Sequence, residues 1–248
     1  MITVGIDLAA GAKKTGVAWV QWSAGSAQVT NLQLGADDDE LVEAMSSVDK
    51  TGIDCPLGWP AEFIQFISRH QNGHVEIEPG VLAADWRRRL AYRLTDLEVK
   101  KLPGIQGLSV SADRIGITTM RCAALLSRLA AAGRTVERSG TGPVVEVYPA
   151  ASLAKWGLTH KGYKSKKGLA GLGHLVDELT CRASWLDLGP YESLCRTSDD
   201  AFDAVIASLT ARAAAIDLID PIPAEHLAVA AVEGWIALPS DGLDLLAS

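Results

Sequence analysis

The sequence predicts an α/β domain built on a mixed five-stranded sheet with helices on both faces, and three observations predict it. Three apolar runs with strand character open the chain and are joined by short links. Two further strand-like runs follow, each reached through a helical stretch. Carboxylates recur at strand ends or inside apolar runs, where an isolated charge is costly unless it pairs or holds a metal.

In the first run Ile2, Val4 and Ile6 alternate with Thr3, Gly5 and Asp7, the period of a strand. Ala9-Ala10-Gly11 turns the chain into a second strand over 16–22, and Ser23-Ala24-Gly25-Ser26 into a third over 27–34. Short links make these three an antiparallel meander. Asp37-Asp38-Asp39-Glu40 supplies an acidic helix start, with Leu41, Val42, Met45 and Val48 on its apolar side. Thr51-Gly52-Ile53-Asp54 is a short fourth strand, stopped by Cys55-Pro56-Leu57-Gly58-Trp59-Pro60. A strand-helix-strand crossover makes it parallel to the first.

Residues 61 to about 112 read as a helical insertion carrying substrate contacts. Ala61 to His70 looks helical, Asn72-Gly73 and Pro79-Gly80 break the chain, and Ala84 to Lys101 mixes arginines with Leu90, Tyr92, Leu94 and Leu97. Ile115 to Ala132 is a helix stopped by Gly133. The run Val144-Val145-Glu146-Val147-Tyr148-Pro149 is the fifth strand, β-branched as a strand buried on both faces should be. A short helix over 150–156, a helix from Lys167 to Thr180, a long helix from Ser198-Asp199-Asp200 to Asp217 and a last helix over 224–232 complete the chain. Trp235 to Leu238 reads as a short strand or an extended tail. The whole is expected to be one domain.

Composition narrows the setting. The chain of 248 residues is 48% hydrophobic and 21% charged, an ordinary globular balance. No apolar run is long enough to span a bilayer, and a strand begins at the N-terminus with no secretory signal before it. Cys55, Cys122, Cys181 and Cys195 show no C-x-x-C pairing, so reduced thiols and a cytoplasmic setting are expected rather than a zinc site. The five histidines show no ligand spacing. A net charge of −7 argues against a dedicated nucleic-acid binder with a basic footprint. It leaves room for an enzyme acting on nucleic acid. The basic strips, Arg87-Arg88-Arg89 with Arg93 and Lys161 with Lys164, Lys166 and Lys167, are either solvated faces or phosphate contacts.

The candidate chemistry lies in five carboxylates: Asp7 and Asp54 at strand ends, Glu146 inside a strand, and Asp200 and Asp203 three apart on one helix. Each has an ordinary alternative, a turn former at a strand end or a helix cap at 199–200. Asp203 and Glu146 are hardest to explain that way, because apolar residues flank both. Carboxylates brought together raise one another's pKa, and a divalent cation removes that penalty. Oxygen-only ligands point to Mg2+ or Mn2+, and a two-ion site would serve phosphodiester hydrolysis.

Gly5-Ile6-Asp7-Leu8-Ala9, Thr15-Gly16-Val17-Ala18, Ile53-Asp54-Cys55-Pro56-Leu57-Gly58, Arg93-Leu94-Thr95-Asp96, Glu146-Val147-Tyr148-Pro149, Asp200-Ala201-Phe202-Asp203-Ala204 and Glu233-Gly234-Trp235-Ile236 occur in that order. This set, running nearly end to end, resembles the DUF429 family, a group with a ribonuclease H-like fold usually described as predicted nucleases. The resemblance implies a sheet in spatial order 3-2-1-4-5, with strand two antiparallel to its neighbours. It also implies a metal-dependent acidic centre at Asp7, Asp54 and Asp203, with Glu146 and Asp200 near it. Cys55 stands where alanine is commoner in that family.

Arg93 and Asp96 are spaced as a helical ion pair, and the resemblance tips them toward binding and orienting a phosphate. Lys164 is either a solvated loop lysine or a phosphate neutraliser. Arg87, Arg88, Arg89 and Arg93 of the insertion should face the acidic centre across a groove. The functional expectation is a metal-dependent nuclease with nucleic acid as substrate. The alternatives are an ATP-using enzyme of the actin-like or sugar-kinase superfold, or a non-catalytic scaffold. Fold alone does not choose among them.

Overall fold

The computed structural model describes residues 1–75, 80, 82–164, 168–240 and 242–248. The expected break at Pro79, the basic residues Lys166 and Lys167, and the expected start of a helix at Lys167 lie outside these.

The opening meander forms as its pattern dictates: β1 (Ile2–Asp7), β2 (Gly16–Ser23) and β3 (Ser26–Leu34), with Gly25 at positive φ in the tight turn between the last two. Helix α1 (Asp38–Ser46) starts with a capping box, the Asp37 side chain accepting from the Asp39 and Glu40 amides while Glu40 reaches back to the Asp37 amide. Strand β4 (Lys50–Asp54) then lies parallel to β1.

The insertion contains α2 (Ala61–Gln71), α3 (Ala83–Ala91) and α4 (Leu94–Val99). The break between the last two falls at Tyr92 and Arg93, which are extended. Helix α5 (Gly116–Ala131), strand β5 (Val144–Glu146), α6 (Pro149–Lys155) and α7 (Leu169–Arg182) follow. Next come β6 (Leu186–Asp187), α8 (Glu192–Thr197), the long α9 (Asp199–Ala215) and α10 (Leu227–Glu233).

Among the described residues the sheet has six strands in order β5-β4-β1-β2-β3-β6, with β2 antiparallel to β1 and β3. It keeps the expected mixed order 3-2-1-4-5, consistent with a ribonuclease H-like fold, and is extended by one strand. The expected count of five is corrected by β6, which pairs parallel with β3 through Ala27 and Gln28. Two residues are too few to show a period, so β6 leaves no pattern in the sequence. The fifth strand is also shorter than expected, because Pro149 starts α6. The tail at 235–238 makes an isolated bridge, Glu146 to Ile236, rather than a strand.

Alternation along the strands sorts the core. Val4, Ile6, Val17 and Ile53 face α1 and α5 in one apolar layer. Ala18, Val20, Val29 and Leu32 face α7 and α9 in the other. Gly5 and Gly52, neighbours in register, lie under α9. A Cβ at Gly5 would stand 1.9 Å from the Ala204 carbonyl oxygen, and one at Gly52 2.3 Å from that of Ala207. Gly16 meets the Asp200 carbonyl the same way, at 2.4 Å. These glycines and the alanine-rich face of α9 let the helix backbone settle directly on the sheet. No helix among the described residues is long and apolar enough to cross a membrane.

Candidate metal centre

Close seating of α9 builds the site. Asp7 and Asp54 are in-register neighbours at the carboxyl ends of parallel β1 and β4. Both lie two residues beyond the glycines under α9, so alternation turns them to the same face. Ser198 caps the helix, its hydroxyl accepting from the Ala201 amide, and one turn on Asp203 comes down onto the pair. One carboxylate oxygen from each of Asp7, Asp54 and Asp203 lies within 4.8 Å of the others. Asp203 is buried and the other two are partly buried.

Burial and mutual repulsion make this crowding costly. Burial pushes the Asp7 carboxyl well above the usual range, and Asp203 and Asp54 push it further. Burial raises Asp54 to about 7, opposed by Lys164 and reinforced by Asp203 and Glu146. Burial raises Asp203 too, with Lys164 and Tyr163 opposing. The Tyr163 hydroxyl donates to Asp203 Oδ1 at 2.9 Å, and Lys164 Nζ lies 2.6 Å from Oδ2. Three convergent oxygen donors with raised pKa values, and no nitrogen or sulfur ligand among the described residues, fit a hard divalent cation such as Mg2+ or Mn2+.

Asp200 and Glu146 stand apart from this cluster. Asp200 occupies the first turn of α9, half-buried, at its margin. Its carboxyl is raised by burial and by Asp199. The N-cap expected of Asp199 or Asp200 is made by Ser198 instead. Glu146 pairs in register with Ile53, so strand alternation puts it on the face opposite Asp54. There it meets Arg93, whose Nη1 and Nη2 donate to it at 2.7 and 2.6 Å. The Leu57 amide donates to the same carboxylate at 2.9 Å.

Arg93 is buried and committed. It also bonds both oxygens of Asp96 and the Glu233 carbonyl. Burial works against the guanidinium charge, and Glu146 and Asp96 more than offset it, so its pKa is raised. The Glu233 carboxylate takes the amides that open α2 and α4, Ala61 and Leu94. Gly234 follows at φ 88°, and a Cβ there would approach Glu146 Oε2 to 2.9 Å. Arg93, Asp96, Glu146 and Glu233 therefore form one buried knot fastening the insertion to β5 and α10. The sequence spacing found Arg93 and Asp96 as a pair, and across the fold Arg93 bonds the Glu146 carboxylate.

The strand-end carboxylates open into a cavity of about 900 Å3. Asp7, Asp54 and the Arg93–Glu146 knot lie at its base. The loop 104–108 and α4 form one wall, and Tyr148 with the loop 160–164 another. Of the four insertion arginines expected to face the acidic centre, Arg93 lines this cavity. Arg89 instead pairs with Glu62 at 3.1 Å, beside a second hollow against α2, while Arg87 and Arg88 are exposed on α3. A helix repeat can aim only part of a consecutive arginine run at one groove.

Two contributors escaped the sequence. Tyr163 sits in a basic loop with no apolar period, yet it is buried and orients Asp203. Arg121, on α5, holds the turn after β1 by bonding the Ala9 carbonyl at 2.9 Å, Thr15 Oγ1 at 2.7 Å and Asp38 at 2.7 Å. Nothing in their local sequence separates either from an ordinary helix or loop residue.

No curated protein and no solved structure matches the chain. The model of the DUF429 family, described as a protein of unknown function, matches residues 5–228, and the chain therefore belongs to that family.

Proposed function

We propose that the chain is a metal-dependent phosphodiesterase acting on nucleic acid, with Asp7, Asp54 and Asp203 holding Mg2+ or Mn2+. The observation that carries this reading is the convergence of three carboxylates within 4.8 Å of one another, two of which, Asp7 and Asp54, line a cavity large enough for a ligand. A divalent ion there supplies Lewis-acid polarisation of a phosphoryl oxygen and acidifies water. The residues of the chain do the positioning. Tyr163 fixes the rotamer of Asp203 through its hydroxyl. Lys164, half-exposed, carries a positive charge that can pass from Asp203 to a phosphate oxygen when a cation takes its place. The Arg93–Glu146 pair holds the β5 edge and the Leu57 amide, and so the loop leaving Asp54. One ion accounts for the triad; a second would draw on Asp200, because Glu146 is occupied by Arg93.

A second reading is favoured by one contact. Lys164 already neutralises Asp203, as it would in a non-catalytic scaffold where the lysine is the permanent counter-charge. A thermal-shift titration with Mn2+, run beside hydrolysis of labelled strands and an ATPase assay, separates these readings. An ion that binds only the folded state raises Tm by mass action. The wild type should be stabilised by millimolar Mn2+ and cleave strands, and Asp7→Asn should lose both while remaining folded. Equal shifts in the two proteins would remove Asp7 from the ligand set. No shift in either would favour the scaffold, and ATP turnover without strand cleavage the actin-like alternative.

A further inference from the structure

We propose that the cavity takes one nucleotide unit at a time, its phosphate toward the carboxylates and its base in an apolar slot, so that the substrate is a strand end rather than a strand interior. The reaction assumed here rests on the phosphodiesterase reading; the size and chemistry of the ligand rest on the cavity.

The volume of about 900 Å3 lies within the range of small-molecule sites, about 300–1,000 Å3. Its chemistry is divided. Asp7, Asp54 and Lys164 act on one another at the polar end, with Arg93, Asp96 and Glu146 also in the lining. Val99, Ile105, Leu108, Ala150 and Ile236 supply an apolar wall, and Lys161 Nζ lies against Gly104. Most of that wall is the face of a small apolar core shared by α4, α6 and the 236 tail. Tyr148 stands between the two ends. Its hydroxyl donates to the Gln106 carbonyl at 2.9 Å, which holds the ring in place, and aromatic rings held this way stack on bases regardless of sequence.

His160 supplies an independent observation. It lines the cavity, and its Nδ1 bonds the Leu158 carbonyl at 3.2 Å. That bond leaves Nε2 as an acceptor, and among the described residues this buried atom has no partner. A buried acceptor without a donor calls for one, and a small tilt of the ring that opened Nε2 to the cavity would let a sugar hydroxyl or a base amino group provide it. Charge among the described residues favours a short ligand. Among the described residues the cations on the lining are Lys161, Lys164 and the committed Arg93, enough for one or two phosphates. Tracking a long strand takes a continuous positive groove, and the chain carries −7 overall.

Isothermal titration of the full chain with adenosine monophosphate and with ribose phosphate, each with Mn2+, tests the slot. The base should add at least about tenfold in affinity. Leu108→Asp, at a wall position 49% exposed and therefore tolerant of a charge, should abolish that preference. Equal affinities for the two probes in the wild type would overturn the proposal. The second arm compares an end-labelled linear strand with the same strand circularised. The linear form should shorten in one-nucleotide steps and the circle should persist. A circle cut as fast as the linear form would overturn the one-nucleotide slot and leave the phosphodiesterase reading standing. A base-dependent affinity with neither strand cut would support the slot and overturn the phosphodiesterase reading.

Discussion

Asp54 shows how a single residue ties stability to pH and metal. It is raised by burial to about 7 from 3.8, so between these values the folded chain holds a proton that the unfolded chain has released. The stabilisation is present in full below the unfolded value and is lost as pH rises through the folded one. Without metal, the Tm of the wild type should fall from about pH 4 to about pH 7 more steeply than that of Asp54→Asn, which lacks this one titrating group and keeps Asp7 and Asp203. A divalent ion competes with that proton, so the Mn2+-induced rise in Tm should grow over the same interval in the wild type. Parallel pH profiles for the two proteins would show that Asp54 keeps an ordinary carboxylate pKa. The positions of Asp7, Asp54 and Asp203 were legible as residues because each interrupts an apolar pattern. Glu146 interrupts one equally well. Only the β4–β5 register, which pairs it with Ile53 rather than Asp54, sends it to Arg93, and register between distant strands is absent from a local pattern.

At the scale of elements, the seating of α9 on the sheet decides whether a site exists. Asp203 reaches Asp7 and Asp54 because Gly5, Gly16 and Gly52 present backbone rather than side chains to the helix. Gly52→Ala would put a methyl 2.3 Å from the Ala207 carbonyl oxygen, and no flexible side chain is there to yield. Overpacking of this kind costs about 1–3 kcal/mol or more. At roughly 2–4 °C per kcal/mol for a chain of this size, Tm should drop by about 5–10 °C. The Mn2+ response should weaken as well, because the helix must lift. An unchanged Tm in Gly52→Ala, measured beside a solvent-facing control such as Gly11→Ala with open space around it, would contradict the close packing. The strands and long helices were readable because their periods are long enough to count, and α9 also carried a visible capping run, Ser198-Asp199-Asp200. What those glycines were for was not readable, since a strand glycine marks a bulge as often as a close approach. The two-residue β6 and the six-residue α8 fell below the length at which a period exists.

Across the whole molecule, the insertion is held unevenly. Its α4 end is anchored by Arg93, Asp96 and Thr95, all buried, with Thr95 Oγ1 accepting from the Ile236 amide. Helices α2 and α3 have no buried residues and pack on each other through Phe66 and Trp86, edge to face at 5.6 Å. Among the described residues, the Glu233 carboxylate ties them to the body by capping the first amide of α2. The composition of 61–112, irregular and arginine-rich, showed that the stretch differs from the sheet around it but not that half of it is keyed into the core. Regions with few buried apolar contacts open locally at free energies well below the global value. Hydrogen exchange followed by mass spectrometry should therefore find amides of α2 and α3 exchanging first. Those of α4 should be slower, and those of β1, β4 and α9 should exchange only on global unfolding. Arg93→Lys breaks the two-pronged contact with Glu146 while keeping the charge, so it should bring α4 down to the rate of α2 and α3. The variant should also lose stability, and Arg93→Met, which leaves the buried Glu146 without its counter-charge, should lose about 3–5 kcal/mol. Protection of α4 unchanged in the variant would mean that the apolar contacts of Val99 and Ile105, rather than the buried ion pair, fasten the insertion to the body.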